Sequence, residues 1–277
     1  MTAPVAVANR AVRPVLDALE EIGRQLIFYL KVLRHLPGAF RGRRLGVLLG
    51  LVSDITIGAG ALIVGGGMVF VIFSMSFFTG TEVGLQGFKG LQQIGAESFT
   101  GLVGSFANTR EVTPLIAGIA FAAQVGAGFT AELGAMRISE EIDALEVMSV
   151  PTYAYLVCTR VVAAVVAILP LYLISLFASF RLVSTAFFGL SPGQYDHYFH
   201  LYLPPIDILY SVIKAVTFAG VVALIHCYYG FNAAGGPEGV GAAVGRAIRL
   251  SIVTVVVLNL LLSVIFYGGG NTVRIAG

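Results

Sequence analysis

The chain has 277 residues, of which 57% are hydrophobic and 12% are charged. Soluble domains usually carry about 25% charged residues, so the composition excludes an ordinary soluble protein and predicts that most of the chain lies in a membrane. The formal net charge is +2, and no nucleic-acid partner is expected. Cys158 and Cys227 both lie in apolar stretches, which predicts packing residues rather than a disulfide framework.

Residues 1–44 form a basic N-terminal region with an amphipathic pattern. Its eight basic residues outnumber Asp17, Glu20 and Glu21, which predicts a cytoplasmic location under the positive-inside rule. Apolar residues recur at near-helical spacing over about 14–36. One interpretation is an interfacial helix lying on the cytoplasmic membrane surface, which the basic flanks favour; the other is an ordinary soluble helix before the membrane domain.

The rest of the chain, 45–277, reads as one membrane domain, because a spanning helix needs roughly 20 mostly apolar residues. The predicted spans are about 47–78, 99–133, 154–180, 206–230 and 248–267. The expected fold class is therefore an all-α integral membrane protein with an N-terminal amphipathic interfacial helix, about five transmembrane helices and a short cytoplasmic helix.

A cytoplasmic N-terminus and five crossings predict the sides of the connecting segments. Residues 135–152 and 231–246 become cytoplasmic, and residues 80–97, 181–205 and the C-terminal tail become external. Arg137, Arg246 and Arg249 then lie inside, as the positive-inside rule prefers.

The segment that follows the second span predicts a short acidic helix over 138–149. Ser139 is a suitable N-cap, and Glu140 and Glu141 follow it in the first turn, where the helix dipole favours anions. The apolar positions at spacings of four and three are Ile138, Ile142, Leu145 and Met148, while Asp143 and Glu146 lie off that stripe. Such a helix either docks in a groove of a partner protein or only covers its own bundle.

The same segment resembles a family signature. Residues 130–148 match T-A-E-[IL]-G-x-M-R-x-[ST]-E-x-I-D-A-L-E-x-M, which is typical of the MlaE/YrbE permeases of Mla- and Mce-type ABC transporters. Four further stretches are similar in the right order: Val83–Phe88 to L-G-L-Q-G-[YF], Thr109–Pro114 to R-E-[LV]-x-P, Ile213–Phe218 to I-K-[AS]-x-x-F, and Tyr229–Phe231 to [YN]-G-[YF]. Residues 236–241 resemble the actinobacterial, Mce-associated branch.

The resemblance implies a function and partners. Two permeases pair in the membrane, each binds a cytoplasmic ABC ATPase through a coupling helix, and outside they hold a hexameric assembly of MCE-domain proteins that conducts lipid. ATP and magnesium are then bound by the ATPase, and this chain holds no cofactor and no metal. The expected ATPase-coupling residues are Arg137, Ser139, Glu140, Glu141, Ile142, Asp143, Leu145, Glu146 and Met148. The sequence contains no G-x-x-x-x-G-K-[ST] phosphate loop, so this chain is not expected to be an enzyme.

Two positions depart from the family pattern. Gln124 stands where many relatives have arginine, and Thr159 stands where relatives often have proline. The glutamine form resembles the second, B-type permease of Mce operons, which favours a heterodimer with a sister permease over a homodimer.

Arg110, Glu111 and Lys214 are charges within predicted spans, where a charge is costly and points to function. The resemblance implies that Arg110 and Glu111 face a lipid-binding cavity. The alternatives are that they lie at the headgroup level or pair to hold two helices together. Lys214 either pairs with an acid such as Glu111 or extends outward to the interface, and the second is preferred.

Other polar residues are open to more than one interpretation. Glu132 either bonds the 231–246 loop or begins the cytoplasmic surface. Asp196, His197 and His200 are more consistent with a hydrated external loop that contacts the MCE proteins than with a metal site. His226 is expected to be a packing residue.

Two other classes of function remain as alternatives. An ATP-independent secondary lipid transporter or channel usually shows inverted repeats and broken helices, and Gly65–Gly67 is the one feature in its favour. A lipid-modifying enzyme needs a catalytic constellation, and neither H-E-x-x-H nor G-x-S-x-G is present. Fatty acids, sterols, phospholipids and mycolic-type lipids all fit as substrates, and the Mce branch implies import. The expected location is the bacterial cytoplasmic (inner) membrane.

Overall fold

The computed structural model describes residues 3–37, 45–56, 67–186 and 192–268, and this part of the chain is almost entirely helical. In chain order the helices are α1 (Ala3–His35), α2 (Leu45–Thr56), α3 (Gly67–Gln92), α4 (Glu97–Ile138), α5 (Glu141–Val147), α6 (Tyr153–Val157 continued by Cys158–Ala186), α7 (Pro192–Tyr202), α8 (Pro205–Phe231) and α9 (Gly236–Tyr267). Five of them, α3, α4, α6, α8 and α9, are long and apolar enough to cross a membrane. The predicted all-α membrane fold is confirmed.

The first predicted span, 47–78, has the wrong bounds. Its first part is the short helix α2, residues 57–66 lie outside the described residues, and the long helix α3 begins only at Gly67. The prediction for the Gly65–Gly67 run therefore falls mostly outside the described residues.

The helix α3 also continues through 80–92, which the sequence had assigned to a polar connection. Glu82, Gln86 and Lys89 are exposed along one side of this extension, whereas Gly80 and Gly84 are buried along the other. Polar residues at this spacing are compatible with an amphipathic helix. A count of polar residues predicts a connecting segment here, whereas their spacing predicts a helix.

The helices pack through small residues that let backbones approach. Ser76 Oγ of α3 lies 2.5 Å from Ser175 Oγ of α6, and a Cβ on Gly80 would lie 3.0 Å from Ser179 Cα. Because both contacts pair residues in the same order four positions apart, α3 and α6 run parallel. Gly118 of α4 similarly faces Phe218 of α8.

The bundle has two distinct ends. At the α5 end, α1 lies against the start of α6 and the end of α8: Phe28 packs against Tyr153 and Tyr228. At the opposite end, α7 covers the first turns of α4 with the buried rings of Tyr195 and Phe199. Asp196, His197 and His200 were predicted to lie in a hydrated loop; they lie on a helix instead, although His197 and His200 are exposed as expected.

The contact between α4 and α7 gives a sharp stability prediction. A Cβ on Gly101 would lie 2.6 Å from the carbonyl oxygen of Tyr195 and 2.7 Å from the amide nitrogen of Phe199. Backbone atoms cannot rotate away, so we expect Gly101→Ala to lower the free energy of unfolding by about 1–3 kcal/mol. Thermal unfolding in detergent measures the change.

Gly128, in the same helix, is the matched control. No atom lies within 4 Å of the position of its added Cβ, so Gly128→Ala is expected to be neutral or to stabilise by up to about 1 kcal/mol through helix propensity. Equal melting temperatures for the two variants would contradict the close approach of α4 and α7.

Candidate functional site

The helix α4 contains two π-helical stretches, Gly104–Val112 and Ala122–Gly126. Wide turns of this kind are rare in helices and frequently occur at functional sites. The first carries Arg110 and Glu111, and the second carries Gln124, which is exposed. Arg110, Glu111 and Gln124 therefore lie on irregular turns of α4, whereas the motif residues from Thr130 onward lie on regular α-helix.

Pro114 helps explain why α8 side chains bond the backbone of the first π-helical stretch. The amide of Thr113 bonds Asn108 O, five residues earlier. The matching donor for Thr109 O would be residue 114, but proline has no N–H. Ser211 Oγ of α8 donates to Thr109 O instead, at 2.5 Å.

Arg110 forms a buried ion pair with Asp207 at the start of α8. Arg110 Nη2 and Nε lie 2.6 and 2.7 Å from Asp207 Oδ2, and both residues are buried. The Arg110 guanidinium carbon lies 3.8 Å from the ring centroid of Phe106 and 4.8 Å from that of Tyr267. Of the interpretations of Arg110, its contacts favour the pairing of two helices.

Lys214 forms a second interhelical pair, with Glu111. Its side chain is 0% exposed, and Nζ lies 3.0 Å from Glu111 Oε1, 2.8 Å from Arg110 O and 2.7 Å from Ser263 Oγ. The preferred interpretation, in which Lys214 extends outward, is wrong because three acceptors inside the bundle already hold the ammonium group. The pairing with Glu111 was the alternative.

Glu111 is the accessible member of this network. Its side chain is 39% exposed, and its carboxylate also accepts hydrogen bonds from Asn259 Nδ2 at 2.8 Å and from Ser263 Oγ on α9. The network joins α4, α8 and α9 near the opposite end of the bundle. Sequence analysis missed Asp207, Asn259 and Ser263 as members; the signal that existed was an acid in the first turn of α8, two residues after Pro205.

At the other end of the bundle, the predicted acidic helix is present but shorter than 138–149. It spans Glu141–Val147, and residues with left-handed backbone lie on both sides of it: Glu140 with φ 62° and Ser149 with φ 60°. Ser139 is not its N-cap. Ser139 ends α4 with its hydroxyl donating to Ala135 O at 3.0 Å and to Glu141 Oε1 at 2.9 Å.

The apolar stripe of α5 is divided between the bundle and the surface. Ile142 is fully buried and Leu145 is half-buried against the core. Met148 is 64% exposed, and Val147, which was not part of the predicted stripe, is 87% exposed. The helix therefore anchors on its own bundle and presents Val147 and Met148 outward, while its docking on a partner protein stays a prediction.

Internal contacts hold the acidic side chains of this corner in place. Arg137 Nη1 lies 2.5 Å from Asp143 Oδ1, and Thr152 Oγ1 donates to Glu146 Oε1 at 3.1 Å. Glu140 and Glu141 are exposed. The surface of α5 is accordingly acidic around Val147 and Met148.

Two further polar residues lie between the ends of the bundle. Glu132 pairs with Arg160 of α6 at 3.0 Å, and its side chain is 58% exposed. Of its two interpretations, these facts favour the one in which Glu132 begins the surface over the one in which it bonds the 231–246 loop. His226 is buried, and its Nδ1 lies 2.7 Å from Thr130 Oγ1. Ring atoms of His226 occupy the space beside Gly126, as expected of a packing residue.

Asp196, His197 and His200 lie on α7 around an open surface depression. His200 Nδ1 lies 2.8 Å from the backbone oxygen of Asp196. Across the described residues, no group of three or more His, Cys, Asp or Glu side chains is arranged to hold a metal ion.

Comparison with known proteins shows that this chain is similar to membrane permeases. Residues 57–265 match the family model described as permease MlaE. The chain is 33% identical over 200 residues to a probable ABC transporter permease protein of Rickettsia prowazekii, covering 71% of this chain and 77% of that one. It is 32% identical to the chloroplastic protein trigalactosyldiacylglycerol 1 of Arabidopsis thaliana, covering 72% and 58%. It is 28% identical to the intermembrane phospholipid transport system permease protein MlaE of Haemophilus influenzae, covering 73% and 79%.

Proposed function

The chain belongs to the MlaE permease family, and on that premise we propose that it is the membrane subunit of an Mce-type ABC transporter that imports lipid. It is a multi-pass membrane permease, and the enzymatic ATPase of such a transporter is a separate subunit. The observation that carries the proposal is α5, a short helix between two candidate spans that presents Val147 and Met148 outward within an acidic surface.

In this proposal the ATPase docks on α5. Exposed apolar side chains at the centre of a patch, with charged residues around them, are the arrangement of a protein interface. Val147 and Met148 would enter an apolar groove of the ATPase, and Glu140 and Glu141 would meet basic residues at its rim. Arg137, Ser139, Asp143 and Glu146 hold the corner in shape, and Ile142 and Leu145 fix it to the bundle. ATP and magnesium are bound by the ATPase.

Because the connections on both sides of α5 are short, α5 would transmit movements of the ATPase to the membrane helices. Ile142 is fully buried, and the Arg137–Asp143 pair joins α5 to the end of α4. A movement of the docked ATPase would therefore be passed to α4, the helix that carries Arg110 and Glu111 near the opposite end of the bundle. Coupling needs such a contiguous, packed path between two sites.

The lipid would be handled at the opposite end of the bundle. Among Arg110, Glu111 and Lys214, Glu111 has the accessible side chain, so direct contact with a lipid group that donates a hydrogen bond, such as a sterol hydroxyl, falls to Glu111, while Arg110 and Lys214 hold α8 against α4. Fatty acids or sterols are the substrates proposed for the Mce branch. The hexameric MCE-domain proteins would meet this end of the bundle.

The assembly proposed around this chain contains a sister permease. The Gln124 form of the motif favours a heterodimer of two related permeases, with this chain as the B-type member of the YrbE pair. The basic residues of 1–44 favour a cytoplasmic N-terminus in a bacterial inner membrane, which places α5 inside, where the ATPase is, and the C-terminus outside.

A pull-down in mild detergent from the native host, with mass spectrometry of the partners, tests this function. We expect a second permease, an ABC ATPase and MCE-domain proteins to be recovered with the chain. Recovery of the chain alone, or only with copies of itself, would overturn the proposal in favour of an ATP-independent transporter. ATP-dependent lipid movement by the purified complex in vesicles is the complementary measurement.

A further inference from the structure

A polar cavity of about 460 Å³ opens where α1 meets the end of α8 and the start of α9, and no residue of α5 or of the Arg110–Asp207 network lines it. Its lining side chains are Glu21, Arg24, Tyr228, Tyr229, Asn232 and Arg246. Two arginines and one glutamate give this lining a formal charge of +1.

The glutamate of the cavity is already engaged by α1 and α8. Glu21 accepts hydrogen bonds from Tyr228 Oη at 3.0 Å and from Arg24 Nη2 at 2.7 Å. Burial acts to raise the pKa of Glu21, but the hydrogen bonds from Tyr228, Arg24 and Gln25 outweigh it and hold that pKa below its ordinary value. The carboxylate therefore stays ionised at neutral pH and is matched by Arg24.

Of the two arginines that line the cavity, Arg246 is the one available to bind an anion. Its guanidinium carbon lies 6.0 Å from the ring centroid of Tyr229, its side chain is exposed, and no carboxylate of the described residues lies within ion-pair distance of it. A guanidinium is suited to phosphate oxygens because its N–H groups form a planar fork.

Arg246 also lies on α9 just before an exposed aliphatic stripe of that helix, on the same face. At helical spacing, its face continues through Arg249 to Val253, Val257, Leu260 and Val264, and all four of these aliphatic side chains are 50% exposed or more. A molecule with an anionic head at Arg246 and hydrocarbon chains along this stripe would match both surfaces.

The exposed face of α1 places the cavity at the same level as a membrane surface. Leu26, Leu30 and Leu33 are each more than half exposed on α1, which is the pattern of a helix lying in the interface. Because α1 forms one wall of the cavity, an α1 that lies in the interface would place the cavity at headgroup depth, beside the hydrocarbon that would surround α9.

We propose that this cavity binds the phosphate headgroup of an anionic membrane phospholipid, with its acyl chains lying along the exposed stripe of α9. Arg246 contacts the phosphate, and Tyr229 and Asn232 border the headgroup. The bound lipid bridges α1 to α9 and so fixes the N-terminal helix on the bundle. This site does not rest on the proposed transport function, since it lies at the α5 end and needs no ATPase.

Native mass spectrometry of the full chain tests the site, with phosphatidylglycerol added in detergent and phosphatidylcholine, a zwitterionic lipid with no net charge, as the comparison that should bind more weakly. We expect Arg246→Gln to reduce bound phosphatidylglycerol about five-fold relative to the wild type, since one arginine near a membrane surface has an effect of this size on anionic lipid. Arg246→Lys, which keeps the charge, should retain most of the binding. Arg246 is exposed, so we expect both variants to fold normally, and size-exclusion chromatography checks this.

Arg34→Ala is the matched control, because Arg34 is an exposed arginine of α1 that does not line the cavity. It should leave phosphatidylglycerol binding unchanged. Equal losses for Arg34→Ala and Arg246→Gln would overturn the proposal in favour of diffuse surface charge. Displacement of the lipid by millimolar inorganic phosphate would overturn the lipid assignment and indicate a site for a soluble anion.

Discussion

Replacing Asp207 by asparagine is expected to lower the free energy of unfolding by about 3–5 kcal/mol, which is the typical effect of removing one member of a buried ion pair. Arg110 would remain charged and buried against Phe106 and Tyr267, and the carboxylate now at 2.6 Å would be absent. The measurement is denaturation of the purified chain in detergent, followed by circular dichroism.

Two controls separate the buried charge from other effects of the Asp207 substitution. Glu20→Gln removes an exposed partner of Arg24 and should change stability by under about 1 kcal/mol. The double variant Arg110→Met with Asp207→Leu should recover most of the loss, since apolar residues often replace a buried pair at little cost. If the double variant is as unstable as Asp207→Asn, the charge that remains on Arg110 is not the cause.

Replacing Val147 by aspartate is expected to weaken ATPase binding roughly 30-fold, equivalent to about 2 kcal/mol at an interface hot spot. Val147 is 87% exposed, so a charge there leaves the bundle intact but would have to be buried against the ATPase. The reversal Glu141→Lys with Asp143→Lys should also weaken binding, in part by breaking the Arg137–Asp143 pair. Affinity is measured by titrating purified ATPase onto immobilised permease.

Glu20→Lys is the matched control for these α5 variants. It changes the charge by +2, as each of the two substitutions in the α5 reversal does, on an exposed residue of α1, and should leave ATPase affinity unchanged. Undiminished binding by Val147→Asp, with normal folding, would contradict the assignment of α5 as the coupling helix. Equal weakening by Glu20→Lys would point to overall charge instead of a docking surface.

Local sequence patterns predict the presence of the helices in this fold better than they predict where the helices end. The period of the apolar residues predicts the existence of the long helices well, since a helix forms all its backbone hydrogen bonds within one segment. It predicts their ends poorly: α3 continues through a polar stretch, and the acidic helix begins at Glu141 instead of Ile138. Helix ends depend on what the last turns pack against, as Gly80 and Gly84 show for α3.

The sequence by itself determined that this is a membrane protein with five long apolar helices, a short acidic helix between two of them and the motifs of the MlaE permeases. The tertiary structure alone decided the partners of the charged residues. Arg110 and Asp207 are 97 positions apart, and Lys214 lies 103 positions from Glu111. A charge pattern records only that a buried charge needs a counter-charge, whereas which one it meets depends on how α4, α8 and α9 pack, because ion pairs form only between groups within about 4 Å.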